Sequence, residues 1–326
     1  MTTAPAKPAA TKPGIYFGMT NEFYHADPAL GSTNLRKLAN NPSDYWWESP
    51  YNPHREIEKV TPARTRGSAM HTLVLEGEAA FDKIYMCGPH HTNDMAPSEK
   101  SAATKAANAK AAASGKIVLP ADDYDRIAIA STMITKNPKL ATVFQGGMPE
   151  VSVFWARDGV MYKVRLDYLK PRGVGDLKSI TNMRDKPFPD ACYDAIAGYR
   201  YDVQAAHYLD GRAQLPQLLA DGCVYGDHDA DLLKRIAASP KFAFQWVFFQ
   251  ADKAPMTYSA IMSPANPMVQ LAQEEITIAT QNYLRYMTEY GPDQIWLLIE
   301  DPMEIELESM PGWFGRTRRT DRSRAA

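Results

Sequence analysis

Hydrophobic positions recur along this chain with two periods, and the switches between them mark out its elements. Leu35 and Leu38 are spaced for one face of a helix that Ser32 is placed to cap and Asn41-Pro42 to end. Across residues 64–85, Met70, Leu73, Val74 and Phe81 keep helical spacing, which puts His71 on a helix packed against the body. Residues 98–115, rich in Ala, Lys and Ser, read as an exposed helix stopped by Gly115. The period then shortens to that of strands at 150–156, 161–168 and 174–179, with Arg157-Asp158-Gly159 making the first connection a hairpin. This predicts a small antiparallel sheet. A long helix follows from 189 to about 212, ending near Gly211. Two further strands, 242–249 and 256–261, precede a last helix over 267–290 that stops at Gly291. Helices and strands in this order predict an α/β fold, and no internal repeat is visible.

Composition narrows the setting. With 326 residues, 45% of them hydrophobic, the chain can bury a sizeable core, and one α/β domain with insertions is expected over residues 14–312. The leader, residues 1–13, is made mainly of Ala, Thr, Pro and Lys and fits neither a secretory signal nor a transmembrane helix. It is expected to be disordered. The tail, residues 313–326, carries Arg316, Arg318, Arg319, Arg322 and Arg324; it reads as a flexible, solvated basic tail, with phosphate contact as the alternative. Cys87, Cys192 and Cys223 are widely spaced and odd in number, which argues against a disulfide framework or a four-cysteine metal site and for a reducing, cytoplasmic location. A net charge of -2 gives no global sign of a nucleic-acid partner, so any such contact must come from local clusters.

The candidate chemistry lies on the second and third strands. Asp167 precedes the triplet Asp176-Leu177-Lys178, and residues i and i+2 of a strand share a face, so Asp176 and Lys178 project together. A turn at Lys170 to Gly173 brings Asp167 toward them if the strands pair in register. Two converging carboxylates suit Mg²⁺, and a nearby ammonium completes what phosphodiester cleavage requires. Lys178 is then open to three roles: orienting the attacking water, helping to deprotonate it, or stabilising the transition state. By composition an Asp-x-Lys triplet arises roughly once in a chain of this length and is more often a charged strand face. The strand-turn-strand context with an upstream Asp raises its standing. Taken alone, His71 reads as a satisfied helix histidine, Glu76 and Glu78 as solvated, and Trp46 and Trp47 as core, with base stacking as the alternative. Gln204 and Tyr208 share a helix face at i and i+4, for which packing is the default reading.

Five segments in chain order change that weighting. Met70 to Glu76, Glu150 to Trp155, Val164-Arg165-Leu166-Asp167, Gly175-Asp176-Leu177-Lys178-Ser179 and Tyr199 to Tyr208 together resemble the nuclease domain of exodeoxyribonuclease VIII, the RecE-type exonucleases. The opening Gly14-Ile15-Tyr16 and Tyr24-His25 are similar too, so the resemblance spans most of residues 14–300.

The resemblance implies a PD-(D/E)XK, restriction-endonuclease-like core: a central mixed sheet flanked by helices. It also implies Mg²⁺ dependence, with Mn²⁺ as a substitute. The implied activity is 5′-to-3′ digestion of one strand of linear double-stranded DNA, leaving a 3′ single strand for recombination. As partners it implies DNA ends, a single-strand annealing protein and a ring-shaped homo-oligomer, with no membrane, in the host cytoplasm of a phage-encoded enzyme. By position, His71, Asp167, Asp176 and the Leu177 carbonyl correspond to metal ligands, Lys178 to the catalytic lysine, and Gln204 and Tyr208 to the helix motif that accompanies the core. Leu166 stands where the superfamily name places Pro, a position that supplies no ligand. A stand-alone nuclease without the long N-terminal extension of the full exodeoxyribonuclease is expected. Two other readings stay open: an endonuclease or structure-specific nuclease on the same core, and a DNA-binding recombination partner without turnover.

Overall fold

The computed structural model describes residues 10–56, 60–90, 101–250 and 253–314. Most of the expected leader and nearly all of the basic tail, including its five arginines, lie outside the described residues. The chain divides into two compact units, Met1–Trp296 and Leu297–Ala326. In the second, the described residues contain one short 3-10 turn, Leu307–Ser309.

The first unit begins with strand β1 (Gly14–Tyr16) and helices α1 (Asn21–Ala26), α2 (Ser32–Asn40) and α3 (Pro42–Glu48). Ser32 is the first residue of α2 and not its cap. Gly31 occupies that position, and its N–H donates to the Asn34 side chain at 2.9 Å. Asn41 ends α2 and caps α3, whose first residue is Pro42. The helix expected over 64–85 is divided into α4 (Pro62–His71), a π-helical turn (Thr72–Glu76) and α5 (Glu78–Ile84). Gly77, at φ +89°, makes the break. Strand β2 (Tyr85–Cys87) follows, then the expected Ala-rich helix as α6 (Ala102–Ser114), ended by Gly115 in the left-handed region.

Strand β3 (Ile117–Leu119) pairs with β2, and α7 (Ala121–Thr135) buries Ile127, Ala130 and Ile134, spaced for one helix face. The three central strands are β4 (Met148–Arg157), β5 (Val160–Lys170) and β6 (Gly173–Ile180). Then come α8 (Phe188–Gly198), α9 (Tyr201–Ala213), α10 (Leu215–Ala220), β7 (Val224–Tyr225), α11 (Ala230–Ala237), β8 (Ala243–Gln250), β9 (Thr257–Met262) and α12 (Pro267–Glu289). The single helix expected from 189 is thus two, broken at Tyr199 and Arg200. Gly211 does not end α9 but lies inside it: a Cβ there would sit 2.6 Å from Val164 Cγ2 and 3.0 Å from Trp155, so glycine lets the helix settle on β4 and β5.

The central strands do not form a small separate sheet. They are the middle of a seven-stranded one, ordered β7-β1-β4-β5-β6-β8-β9. It is mixed because β6 pairs antiparallel with β5 and parallel with β8. Successive residues of β8 show how it is covered. Phe244, Trp246 and Phe248 join an apolar cluster with α2, α9 and α12, while Val247 and Phe249 join another with Met70 of α4, Phe81 of α5 and Ile127 of α7. Since alternate side chains leave a strand on opposite faces, the two clusters are the two helical layers of an α/β sandwich. Burial on both faces also explains why β8 reads as a nearly continuous apolar run. Cys87, Cys192 and Cys223 are free thiols. No described helix is long and apolar enough to cross a membrane.

Candidate active site

The site forms where β5 and β6 part. Their ladder closes the hairpin with Lys170 opposite Gly173, Leu169 opposite Val174 and Tyr168 opposite Gly175. One step further, the Leu177 N–H donates to the Asp167 carboxylate at 2.9 Å, a side-chain oxygen standing where a ladder carbonyl would. The register expected from the turn is therefore present, and it ends at Asp167 and Asp176.

Alternation along β6 places Val174, Asp176, Lys178 and Ile180 on the face covered by α9, and Leu177 on the face covered by α4. From the first face, Gln204 Nε2 on α9 donates to Asp176 Oδ1 at 3.0 Å, and Lys178 Nζ lies 2.6 Å from Asp176 Oδ2. Asp176 is fully buried, at 0% exposure. A carboxylate so placed is held by these two donors in place of water. Tyr208 lies on the same face of α9 one turn along, partly buried, with Gln204, Asp167 and Asp176 among its electrostatic neighbours. Ala205 and Ala206, both fully buried, keep α9 close enough to the sheet for Gln204 to reach Asp176.

From the other face, His71 closes α4 just before the π-helical turn, a distortion that often marks functional sites. Its Nε2 lies 3.0 Å from the Leu177 carbonyl, and its Nδ1 lies 3.6 Å from Asp167 Oδ2 and 3.9 Å from Glu150 Oε1. Glu150 sits on β4 at φ +54° and forms an ion pair with Arg165. In the antiparallel pairing of β4 with β5, Pro149 faces Tyr168 and Val151 faces Leu166, which places Glu150 across from Asp167.

The electrostatics follow from this crowding. Burial, then the neighbouring Asp176, raises the Asp167 carboxyl well above the ordinary range. Burial would lower the His71 pKa, but Asp167 and Glu150 outweigh it and lift the imidazole to about 9. Burial likewise opposes the charge on Lys178, yet Asp176 and Asp167 hold its pKa above the usual lysine value. Glu150, despite burial, is held below the usual range by His71 and Arg165. These carboxylates draw positive charge to themselves.

One ligand atom each from His71, Glu150 and Asp167 lie within 4.8 Å of one another, a spacing that can hold a metal ion. Carboxylate and carbonyl oxygens suit Mg²⁺ and Mn²⁺, and the imidazole adds one nitrogen donor to an oxygen-rich set. The donor set therefore fits a divalent cation. The structure brings together all seven residues nominated from sequence: His71, Asp167, Asp176, Leu177, Lys178, Gln204 and Tyr208. Glu150 adds a donor that sequence reasoning missed. It stood within a resembling segment, but nothing in its spacing marked it as a ligand. Trp46 is core, its Nε1 donating to Pro292 O at 3.0 Å, whereas Trp47 is exposed. Glu76 is exposed near the site, with its carboxyl raised by partial burial and by Glu150.

A crystal structure of an Eubacterium rectale protein described as a "Putative exonuclease" shares the fold, at 13% identity and a TM-score of 0.52, over 88% of this chain and 97% of that one. No curated protein matches the chain in sequence. A family model described as a PDDEXK-like domain of unknown function (DUF3799) matches residues 51–218, a span that holds His71, Glu150, Asp167, Asp176, Lys178, Gln204 and Tyr208, and the chain belongs to that family.

Proposed function

We propose that the protein is a divalent-metal-dependent nuclease that digests one strand of linear double-stranded DNA, 5′ to 3′, as an exonuclease. The observation that carries the nuclease reading is the convergence, at the split between β5 and β6, of the His71, Glu150 and Asp167 donors with the buried Asp176–Lys178 pair. His71, Glu150, Asp167, Asp176 and the Leu177 carbonyl are the groups that would hold Mg²⁺ or Mn²⁺. When bound, such an ion neutralises charge on the scissile phosphate and makes a nearby water a better nucleophile at neutral pH.

The residues supply the rest. Lys178, kept protonated by Asp176 and Asp167, is placed to stabilise negative charge developing on the phosphate; of the roles open to it, this one suits a raised pKa best. Gln204 fixes the orientation of Asp176. Arg165 fixes Glu150. The preference for ends, the polarity, a cytoplasmic setting, a ring-shaped assembly and an annealing partner are supported by the RecE-type resemblance and are part of the same proposal.

The test is digestion of duplex DNA labelled separately at each end, beside a covalently closed circle, with Mg²⁺ or Mn²⁺. The exonuclease reading expects release from the 5′-labelled ends and an intact circle. Cleavage of the circle would make it an endonuclease on the same core, and DNA binding without cleavage in either metal would overturn the nuclease reading.

A further inference from the structure

We infer that Tyr199 is a base-stacking residue which receives an unpaired nucleotide next to the scissile phosphate, and that Arg184 holds a phosphate of the same strand. The inference rests on the nuclease reading above and concerns how the substrate strand lies in that site.

An open cleft of about 760 Å³ adjoins the catalytic strand. Ser179, which directly follows Lys178 on β6, lines it together with Thr181, Met183, Arg184, Gly198 and Tyr199. Tyr199 is 60% exposed. Its ring stacks on Tyr201 with centroids 5.5 Å apart, and Lys178 Nζ lies 5.3 Å from the Tyr201 centroid. One ring therefore separates Tyr199 from the ammonium that faces Asp176.

The backbone is shaped to present this side chain. Apolar spacing would run α8 into α9 as one helix, but Arg200 adopts φ +51°, a left-handed conformation that costs a non-glycine residue energy. The break is over-determined by tertiary contacts. The Arg200 guanidinium pairs with Asp202 at 3.0 Å and with Glu275 of α12, while Arg36 of α2 donates to the Tyr199 carbonyl. Strain held by three separate elements places an exposed aromatic ring at the mouth of the cleft.

The charges lining the cleft point to the strand's backbone. In the lining Lys186 is paired with Asp194; outside it, Lys253 takes Asp185, the neighbour of Arg184. Arg184 itself is exposed and forms no ion pair among the described residues. A guanidinium without an ion-pair partner among the described residues, lining the same cleft as an exposed aromatic ring, is the combination that tracks single-stranded nucleic acid, with the base on the aromatic face and the phosphate on the cation. Within a duplex both faces of an internal base are covered by its neighbours. The base on Tyr199 must therefore be terminal or already unpaired.

The experiment uses the full chain and a duplex carrying 2-aminopurine either at its terminal nucleotide or at an internal one. With Asp176→Ala to prevent cleavage, binding should quench the terminal probe further and leave the internal probe nearly unchanged. Adding Tyr199→Ala should abolish the quench, and adding Tyr199→Phe should preserve it. In the cleaving enzyme, Tyr199→Ala should raise KM by roughly 5- to 150-fold, more than it lowers kcat, with recovery in Tyr199→Phe. Arg184→Ala should raise KM and reduce its salt dependence. An unchanged KM in Tyr199→Ala together with an undiminished quench overturns the inference while leaving the nuclease reading intact. Absence of cleavage by the unsubstituted chain overturns both.

Discussion

Gln204 Nε2 donates to Asp176 Oδ1 at 3.0 Å, from a helix on one face of the sheet to a fully buried carboxylate on β6. This bond sets how Asp176 faces Lys178 and Asp167. Gln204→Ala is expected to lower kcat by about 10- to 100-fold, the usual effect of removing the partner of a metal-site ligand. Steady-state cleavage rates and the thermal unfolding midpoint measured together would check this. A fall in rate no larger than the fall in folded fraction would remove Gln204 from the site.

Glu150 should prove to be a metal ligand although nothing in its sequence spacing marks it. Glu150→Ala is expected to weaken Mn²⁺ binding, measured by calorimetry without DNA, by about 10-fold or more, since one donor of the set is lost. Because His71 is held protonated with its pKa near 9, metal binding must displace that proton, so affinity should rise as pH increases from 6 toward 9. A pH-independent affinity would mean that His71 is not a ligand.

Gly211 is fixed by packing. The Cβ of Gly211→Ala would meet Val164 and Trp155, and the overpacking should cost about 1–3 kcal/mol of stability, read from denaturant unfolding. Because α9 carries Gln204, activity should fall as well.

His207 gives the protein an acid-sensitive core. Its ring is fully buried, with Nε2 3.1 Å from Lys163 O, and burial pushes its pKa down to about 4 from 6.5. The unfolded chain therefore takes up a proton at a pH where the folded one does not. This contribution is fully present above pH 6.5 and is lost as pH falls toward 4, amounting to about 3 kcal/mol. His207→Gln should show a shallower loss of stability over that range in urea titrations. An unchanged slope would assign the acid sensitivity to other groups.

Local patterns carried much of the architecture and the centre of the site. The hairpin at Asp158-Gly159, the strands around Asp167 and Asp176, and the shared helix face of Gln204 and Tyr208 all follow from short-range periodicity and turn chemistry. What escaped is long-range. The parallel pairing of β6 with β8 joins strands that four helices separate in sequence, and no local signal announces it. The break at Arg200 is held by Glu275 on the last helix, so a window of neighbouring residues reads straight through it. Ser32 lies one residue inside the helix it is expected to cap, and Gly211 two residues before the helix end expected near it, because capping and stopping are decided by what surrounds a residue as well as by its type. His71 gained its place only through the family resemblance, and Glu150 only when β4 was laid beside β5.

The central claim is that these residues form one metal-dependent hydrolytic centre. Its most direct measurement is cleavage of end-labelled duplex DNA by the unsubstituted chain and by Asp176→Ala, each in Mg²⁺, in Mn²⁺ and in excess chelator. The account predicts cleavage by the unsubstituted chain with metal and none with chelator, and a loss of at least about 10³-fold in Asp176→Ala. Cleavage that persists in chelator, or an Asp176→Ala variant as active as the parent, would contradict it.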